Sequence, residues 1–449
     1  MKKIPKRPLI PVITDLLEYR KAGKDSIAWA KEVVDRYGDV CECSFTGIRS
    51  YFIHDPEIIR EILTTKGPKM KRTYFFRAFR KFLGNGLFTS DGDLHRSQRR
   101  LIKPAFYPEK VRSHGETMLR CAQEESATWK DHMQIDVGEA MSRITLNIIT
   151  RSMFGTGMER AISGNVNGHL THVFGLVNRI LQNPFYTYCL VHGIRIPLIR
   201  KFYREKNQLD AIVTRIIDSH ASREGNGNDL LGMLLDARDE ETGEPMPLSQ
   251  VRDEVMTFFL AGHETTSLAL TWTLYLLAKN PEILQKVQHE CRRISSGRKI
   301  EPGDYQSLPE TKNAFKESLR LYPPAWTFAR GTREDVVIGE YHFPKGSVLW
   351  TITYLLHRDK KLFHDADSFI PSRWDEPEVK NMHRHAYLPF GGGNRMCIGE
   401  GFAWMEGVLV LAHILSRFSL DLQPGFSAEV NPVFTLRPKQ KIMMTIKTG

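Results

Sequence analysis

The residue with the most chemistry to offer is a cysteine set among glycines, in Phe390-Gly391-Gly392-Gly393-Asn394-Arg395-Met396-Cys397-Ile398-Gly399. This loop, 390–399, runs into Glu400 to Phe418, apolar on nearly every face and so read as a buried helix. At the mouth of such a helix, unpaired N–H groups and the positive end of the aligned peptide dipoles favour a thiolate, the form of cysteine that ligates a metal. The glycines let the backbone approach a flat, bulky ligand closely, and Arg395 stands where it could hold an anionic group of that ligand. A lone cysteine is more often a small core residue, so its surroundings have to decide.

The second candidate lies inside the apolar run Val255 to Ala278, long enough to cross a bilayer core of about 30 Å. Its centre reads Ala261-Gly262-His263-Glu264-Thr265-Thr266, which puts an ionisable pair at mid-depth, and the flanks lack the Lys/Arg asymmetry of a membrane span. A long buried helix fits better. On that helix the Thr265 hydroxyl can return to the carbonyl of Ala261 four residues back, loosening the ladder and making room for oxygen and water; a satisfied polar kink is the alternative. His263-Glu264 suggests a zinc protease, but that motif needs a second histidine four residues on, where Ser267 stands.

Three further segments carry polar pairs whose meaning depends on context. Glu317 and Arg320, three apart on one helix face, would be worth only about 0.2–0.5 kcal/mol if exposed. Phe369-Ile370-Pro371-Ser372-Arg373-Trp374 holds a lone arginine in a turn-rich stretch. In Asp91 to Arg100, His95 and Arg99 share a helix face, and Arg96, Arg100 and Lys103 form a basic stripe that suits an acidic docking protein or is simply a solvated face.

In this order and spacing the segments resemble the cytochrome P-450 superfamily, whose cysteine loop reads Phe-Gly-x-Gly-x-Arg-x-Cys-x-Gly and is matched at every specified position. The resemblance extends, more weakly, to Tyr37–Asp55 and Asp91–Phe106 and so spans nearly the whole chain. It implies a mainly α fold with a minor β region, as one large catalytic domain over 1–449 with a short basic tail at 1–13. It implies haem b with the Cys397 thiolate as axial ligand and dioxygen as co-substrate. Haem contacts are expected from His95, Arg99, Ala261, Arg330, Phe390 and Arg395, where His95 replaces the tryptophan of many members. Glu317, Arg320 and Arg373 become a buried polar brace beneath the cysteine loop, and Glu264 and Thr265 steer protons during dioxygen activation. Phe75, Phe76, Phe79, Phe82, Trp326, Phe328 and Phe434 fall in segments that line the substrate cavity in resembling proteins, although core packing explains each one singly.

The expected activity is hydroxylation of a lipophilic molecule, a fatty acid, terpenoid or carotenoid, or steroid. With no flavin or iron–sulfur motif in the chain, electrons are expected from an acidic ferredoxin or flavodoxin and its NAD(P)H-dependent reductase. The alternatives are a peroxide-driven oxygenase or an isomerase or dehydratase on the same fold, and a non-enzymatic haem sensor or carrier.

The elements that must position these residues can be read from punctuation. Val40–Phe45 and Ser50–Ile53 flank the turn Thr46-Gly47-Ile48-Arg49 as a hairpin, and Asp55-Pro56 opens a short helix. Helical periodicity fills about 109–295, broken by the Gly/Asn-rich Gly155–Gly168 and the polar Ser222–Asn228. Ser249 is the expected N-cap of the long helix, Asn280-Pro281 its break, and Pro309 opens a helix stopped by Tyr322-Pro323-Pro324. Strand-like pieces follow from Val336 to Thr353.

Composition bounds the rest. The 449 residues are 41% hydrophobic and 26% charged, which excludes disordered, collagen-like and disulfide-scaffold classes. The net charge of +11 favours acidic partners, but it is spread along the chain without a reading module, so nucleic acid is set aside. Six cysteines without paired spacing and no secretory signal fit a monomer in the reducing cytoplasm, with weak peripheral membrane contact by Lys2–Ile13 the one reservation.

Overall fold

Helix starts follow the proline and aspartate signals. The structure, a computed structural model, describes residues 2–5, 25–43, 48–155, 165–181, 183–221, 229–239 and 243–448. The tail beyond residue 5, the turn at Thr46-Gly47, most of the Gly/Asn-rich stretch and 222–228 lie outside the described residues. The helices that matter here are α1 (Ser26–Tyr37), α2 (Pro56–Leu63), α3 (Phe76–Leu83), α4 (Gly92–Ile102), α5 (Gly115–Ser126), α6 (Val137–Phe154), α7 (Asn165–Leu181), α8 (Pro197–Ala221), α9 (Leu248–Lys279), α10 (Pro281–Ser295), α11 (Pro309–Leu321) and α12 (Glu400–Arg417). At α2 the Asp55 carboxylate accepts from the N–H groups of Glu57 and Ile58 at 2.8 and 2.9 Å, satisfying donors the helix itself cannot.

The expected N-cap at Ser249 is not where α9 begins. The cap residue is Pro247, whose carbonyl takes the N–H groups of Gln250 and Val251 at 2.8 and 2.9 Å, and Ser249 lies inside the first turn. Backbone geometry at the proline set the start before any side-chain cap could. The C-terminal end of α12 differs less: Phe418 opens a strand instead of closing the helix.

The described chain packs into two compact units. The first comprises residues 1–73, 313–397 and 427–440. Its sheet has the order β1 (Val40–Glu42), β2 (Ser50–Ile53), β8 (Val348–Thr351), β5 (Phe328–Thr332), β3 (Met70–Lys71), with β2 and β8 parallel and the other neighbours antiparallel. One face of this sheet buries Ile53, Ile59, Ile62, Leu63, Leu349 and Phe343. Removing that apolar surface from water, at roughly 25 cal/mol per Å², is what holds α2 against the sheet. The second unit comprises 74–312, 398–426 and 441–449 and is almost all helix. Its centre is α9, 32 residues long, which is buried on almost every turn and packs most extensively against α6. No helix among the described residues is long and apolar enough to cross a membrane.

Candidate active site

In the first unit the cysteine loop is a tight construction. The Cys397 N–H donates to the Phe390 carbonyl at 2.9 Å, Met396 N–H to Gly393 at 3.1 Å, and Gly391 N–H to Leu388 at 3.1 Å. Gly391 and Gly393 adopt φ of +68° and +66°, which costs other L-residues about 1–2 kcal/mol. At Gly393 a Cβ would stand 1.9 Å from the Leu63 carbonyl oxygen, so α2 fixes the loop by backbone approach. The six cysteines differ sharply: Cys397 is exposed and the other five are buried. Burial pushes the thiols of Cys41, Cys121 and Cys291 up to about 12, which keeps them neutral and inert.

Glu317, Arg320 and Arg373 meet in one buried hydrogen-bond network. Glu317, Arg320 and Arg373 have no exposed side-chain surface. Glu317 accepts from Arg320 Nε and Nη2 at 3.0 and 2.8 Å, from Arg373 Nε at 2.9 Å and from the Ile370 N–H at 3.1 Å. The arginines spend their remaining donors on carbonyls of His357, His364, Asp365, Ala366 and Ser368, stitching 357–373 to α11.

His357 links brace to loop, and nothing in the sequence singled it out. Its Nε2 lies 2.8 Å from the Leu388 N–H and so must accept, which leaves Nδ1 to donate to the Arg320 carbonyl at 3.2 Å. Burial, with the Arg320 charge second, lowers this imidazole to about 3. The only sequence signal was a histidine closing the apolar run Tyr354-Leu355-Leu356. Arg330, on β5, is buried, with Nη1 3.1 Å from the Ala329 carbonyl and its guanidinium 5.4 Å from the Phe328 ring centre. Trp326 is committed to packing: its indole N–H donates to the Val433 carbonyl at 2.8 Å. Phe434, in the same unit, is half-buried.

In the second unit α9 presents the other half of the chemistry. The Thr265 hydroxyl donates to the Ala261 carbonyl at 2.6 Å, as its spacing predicts, and Ser267 to that of Glu264 at 2.9 Å. Ala261 is exposed and Gly262 and Thr265 are half-buried, although the turns on either side are closed. Glu264 is buried. Its neighbour His263 is held from both sides: Nε2 lies 2.8 Å from Ser142 of α6, and Phe174 of α7 stacks on the ring at 5.8 Å and 15°. Behind this turn Glu406 of α12 bonds Thr266, and full burial raises its carboxyl well above the carboxylate range. A carboxylate in the otherwise apolar α12 was the signal available for it.

On α4, His95 is buried and Arg99, on the same face, is half-buried. The basic stripe is not a row of bare cations: Arg96 pairs with Asp93, and Arg100 with Asp239 at 2.7 Å. Among the aromatics, Phe82 is fully buried, edge-on to Phe174 and Phe202 at 5.8 and 6.3 Å, and serves packing. Phe76 and Phe79 cluster with Phe88, while Phe75 is 39% exposed.

In the first unit an exposed cysteine on a glycine cradle suits a flat ligand bound through sulfur, and in the second unit α9 leaves one turn of an otherwise buried helix partly exposed. Comparison with known proteins agrees. The chain matches the family description "Cytochrome P450" over residues 5–446. It belongs to the cytochrome P450 family. Cyclooctatin synthase of Streptomyces melanosporofaciens is 36% identical over 407 residues, covering 89% of this chain and 87% of that protein. Cyclooctat-9-en-7-ol 5-monooxygenase of the same organism is 32% identical over 389 residues, covering 87% and 84%. Among solved structures, the haem domain of cytochrome P450DA superposes with a TM-score of 0.86 at 26% identity, covering 99% of this chain and 98% of that one. The P450 is a mainly α oxygenase with small sheets and a haem-thiolate cofactor, uses dioxygen, and needs a redox partner.

Proposed function

We propose that this P450 hydroxylates a lipophilic small molecule with electrons from a separate acidic ferredoxin or flavodoxin and its NAD(P)H-dependent reductase. The observation that carries the reading is the exposed Cys397 on its glycine loop, and the Thr265 hydroxyl bonded back to the Ala261 carbonyl of α9 supports it. Bound haem would supply dioxygen activation at iron, with electron density donated by its axial thiolate.

The protein's own residues do the rest. Cys397 would hold the haem iron through its thiolate, and its loop, braced by Glu317, Arg320, Arg373 and His357, keeps the sulfur fixed. His95, Arg99, Arg330 and Arg395 would hold the carboxylates of the macrocycle, and Ala261 and Phe390 would contact it. Thr265 holds its hydroxyl at the Ala261 carbonyl, and with its chain neighbour Glu264 it serves proton delivery. The two units act together as one catalytic domain, and the enzyme works as a cytoplasmic monomer. Phe75, Phe76, Phe79, Phe328 and Phe434 favour an apolar substrate. Of the lipophilic classes, a terpenoid is favoured by the similarity to cyclooctat-9-en-7-ol 5-monooxygenase.

Thr265→Ala tests the proton role. With surrogate redox partners, reducing equivalents consumed per product should rise several-fold, with the excess appearing as peroxide or water. Coupling unchanged from wild type would remove Thr265 from proton delivery.

A further inference from the structure

The chain between α3 and α4, residues 84–91, is fastened to α9 by carboxylates that the site above does not use. Asp253 accepts the Asn85 N–H at 2.7 Å. Glu254, with no exposed surface, accepts the Leu87 N–H on Oε2 at 2.8 Å and the Gln250 amide on Oε1 at 2.8 Å. The Asn85 carbonyl takes amide donors from both helices, Gln98 of α4 at 2.7 Å and Gln250 of α9 at 3.2 Å. The approach is a backbone one: a Cβ on Gly84 would lie 2.1 Å from Asp253 Oδ2, and one on Gly86 2.2 Å from Thr257 Oγ1. Within the segment, Thr89 Oγ1 donates to the Gly84 carbonyl at 2.6 Å and Arg80 to the Thr89 carbonyl at 3.0 Å, so it moves as one piece.

We propose that Glu254 is a positioning residue, a buried clasp that fastens 84–91 to α9 and thereby fixes α4, with His95 and Arg99, along α9 relative to Glu264 and Thr265. The proposal rests on the roles given to those four residues above. Ten residues separate Glu254 from Glu264, about 15 Å along the helix, so the clasp acts through α4 and touches no reacting group.

The charges around Glu254 make the clasp sensitive to protons. On α9 the neighbours are Arg252 and Asp253, and Arg252 is spent on Asp253 at 2.6 Å and on Asp210 of α8, which also takes Lys206. On α3, Arg80 is committed to the Thr89 carbonyl. Among the described residues no cation is bonded to Glu254, and burial, with Asp253 adding repulsion, raises its carboxyl to about 8. Once opened to water the group would titrate at its ordinary value near 4.5. Between those values the closed clasp keeps a proton that the open one releases. Opening therefore grows as pH rises from about 4.5 to about 8, by up to about tenfold per unit, and levels off above.

Hydrogen exchange of the full chain between pH 5.5 and 8.5, corrected for the intrinsic rate, tests this on peptides covering 84–91 and 92–99. Wild type should show a segment opening constant that climbs towards about tenfold per pH unit. Glu254→Gln keeps an acceptor for Leu87 and loses the titration, so its opening constant should be flat. Glu254→Leu should raise opening at least about tenfold at pH 6 and loosen 92–99 with it, the 1.4 kcal/mol-per-decade equivalent of one lost buried bond. A wild-type slope in Glu254→Gln, or α4 as protected in Glu254→Leu as in wild type, would overturn the proposal. Glu254→Gln decides alone if the leucine variant does not fold. Failure of the haem-site reading would appear separately, as the absence of a thiolate-haem spectrum with the exchange pattern intact.

Discussion

Glu317→Ala should be among the most damaging single changes in the first unit. The carboxylate accepts four donors, three of them charge-assisted guanidinium bonds at 2.8–3.0 Å, and neither it nor its partners have any side-chain exposure. Deleting it leaves two guanidinium groups in a dry interior with only backbone carbonyls to face. Breaking a buried pair in this way costs about 3–5 kcal/mol, a large fraction of a typical total of about 5–15 kcal/mol. The comparison is Glu57→Ala, which removes a pair of the same i,i+3 spacing on the surface, Glu57–Arg60 at 2.5 Å, and should leave stability unchanged. Urea unfolding of the apoprotein and the haem-loaded protein, followed by tryptophan fluorescence and by the Soret band, gives both numbers. The loaded Glu317 variant should also lose haem before it unfolds, since 357–373 no longer holds the loop through His357. A loss below about 1 kcal/mol, or equal losses at Glu317 and Glu57, would refute the claim that burial turns this motif from a weak surface pair into a structural brace.

Two further outcomes follow from the loop. His357 is neutral in the folded state, with a value of about 3 against an ordinary 6.5, so the stability it contributes is complete above pH 6.5 and drains away as pH falls towards 3. Between pH 7 and 5 this accounts for about 2 kcal/mol, and His357→Gln should remove that share of the acid loss in paired urea titrations; an unchanged acid limb would contradict it. Gly393→Ala, which drives a Cβ onto the Leu63 carbonyl, should cut haem retention severely, whereas Gly391→Ala, with nothing within 4 Å, should cost only about 1–2 kcal/mol in unfolding. Equal effects at the two glycines would show that close approach at 393 does not shape the loop.

Local chemistry was legible from the sequence, and chemistry between distant segments was legible only through the family resemblance. The Thr265 hydroxyl reaching back to Ala261, the helix starts at Pro56, Pro281 and Pro309, and the i,i+3 spacing of Glu317 and Arg320 all depend on residues within one turn. Arg373, 56 residues from Glu317, could be joined to it only by analogy, and His357, 31 residues from Leu388, had no analogue to lean on. Glu254 reads in sequence as an acid favourable in the early turns of α9 and Glu406 as a carboxylate in an apolar helix, and their buried hydrogen-bond partners appear only when the helices are packed. The misplaced N-cap at Ser249 has the opposite cause, a side-chain preference overruled by the proline two residues before it. Phe82 shows why aromatic lists say little about pockets: burial against Phe174 and Phe202 uses the ring completely.

The central claim is that Cys397 carries the haem as a thiolate. The direct measurement is the absorption spectrum of the purified protein, reduced and exposed to carbon monoxide, beside that of Cys397→Ser. The account predicts a strongly red-shifted Soret band in the parent that is lost in the variant. A band of the imidazole-ligated kind in the parent, or a red-shifted band that survives the substitution, would contradict it.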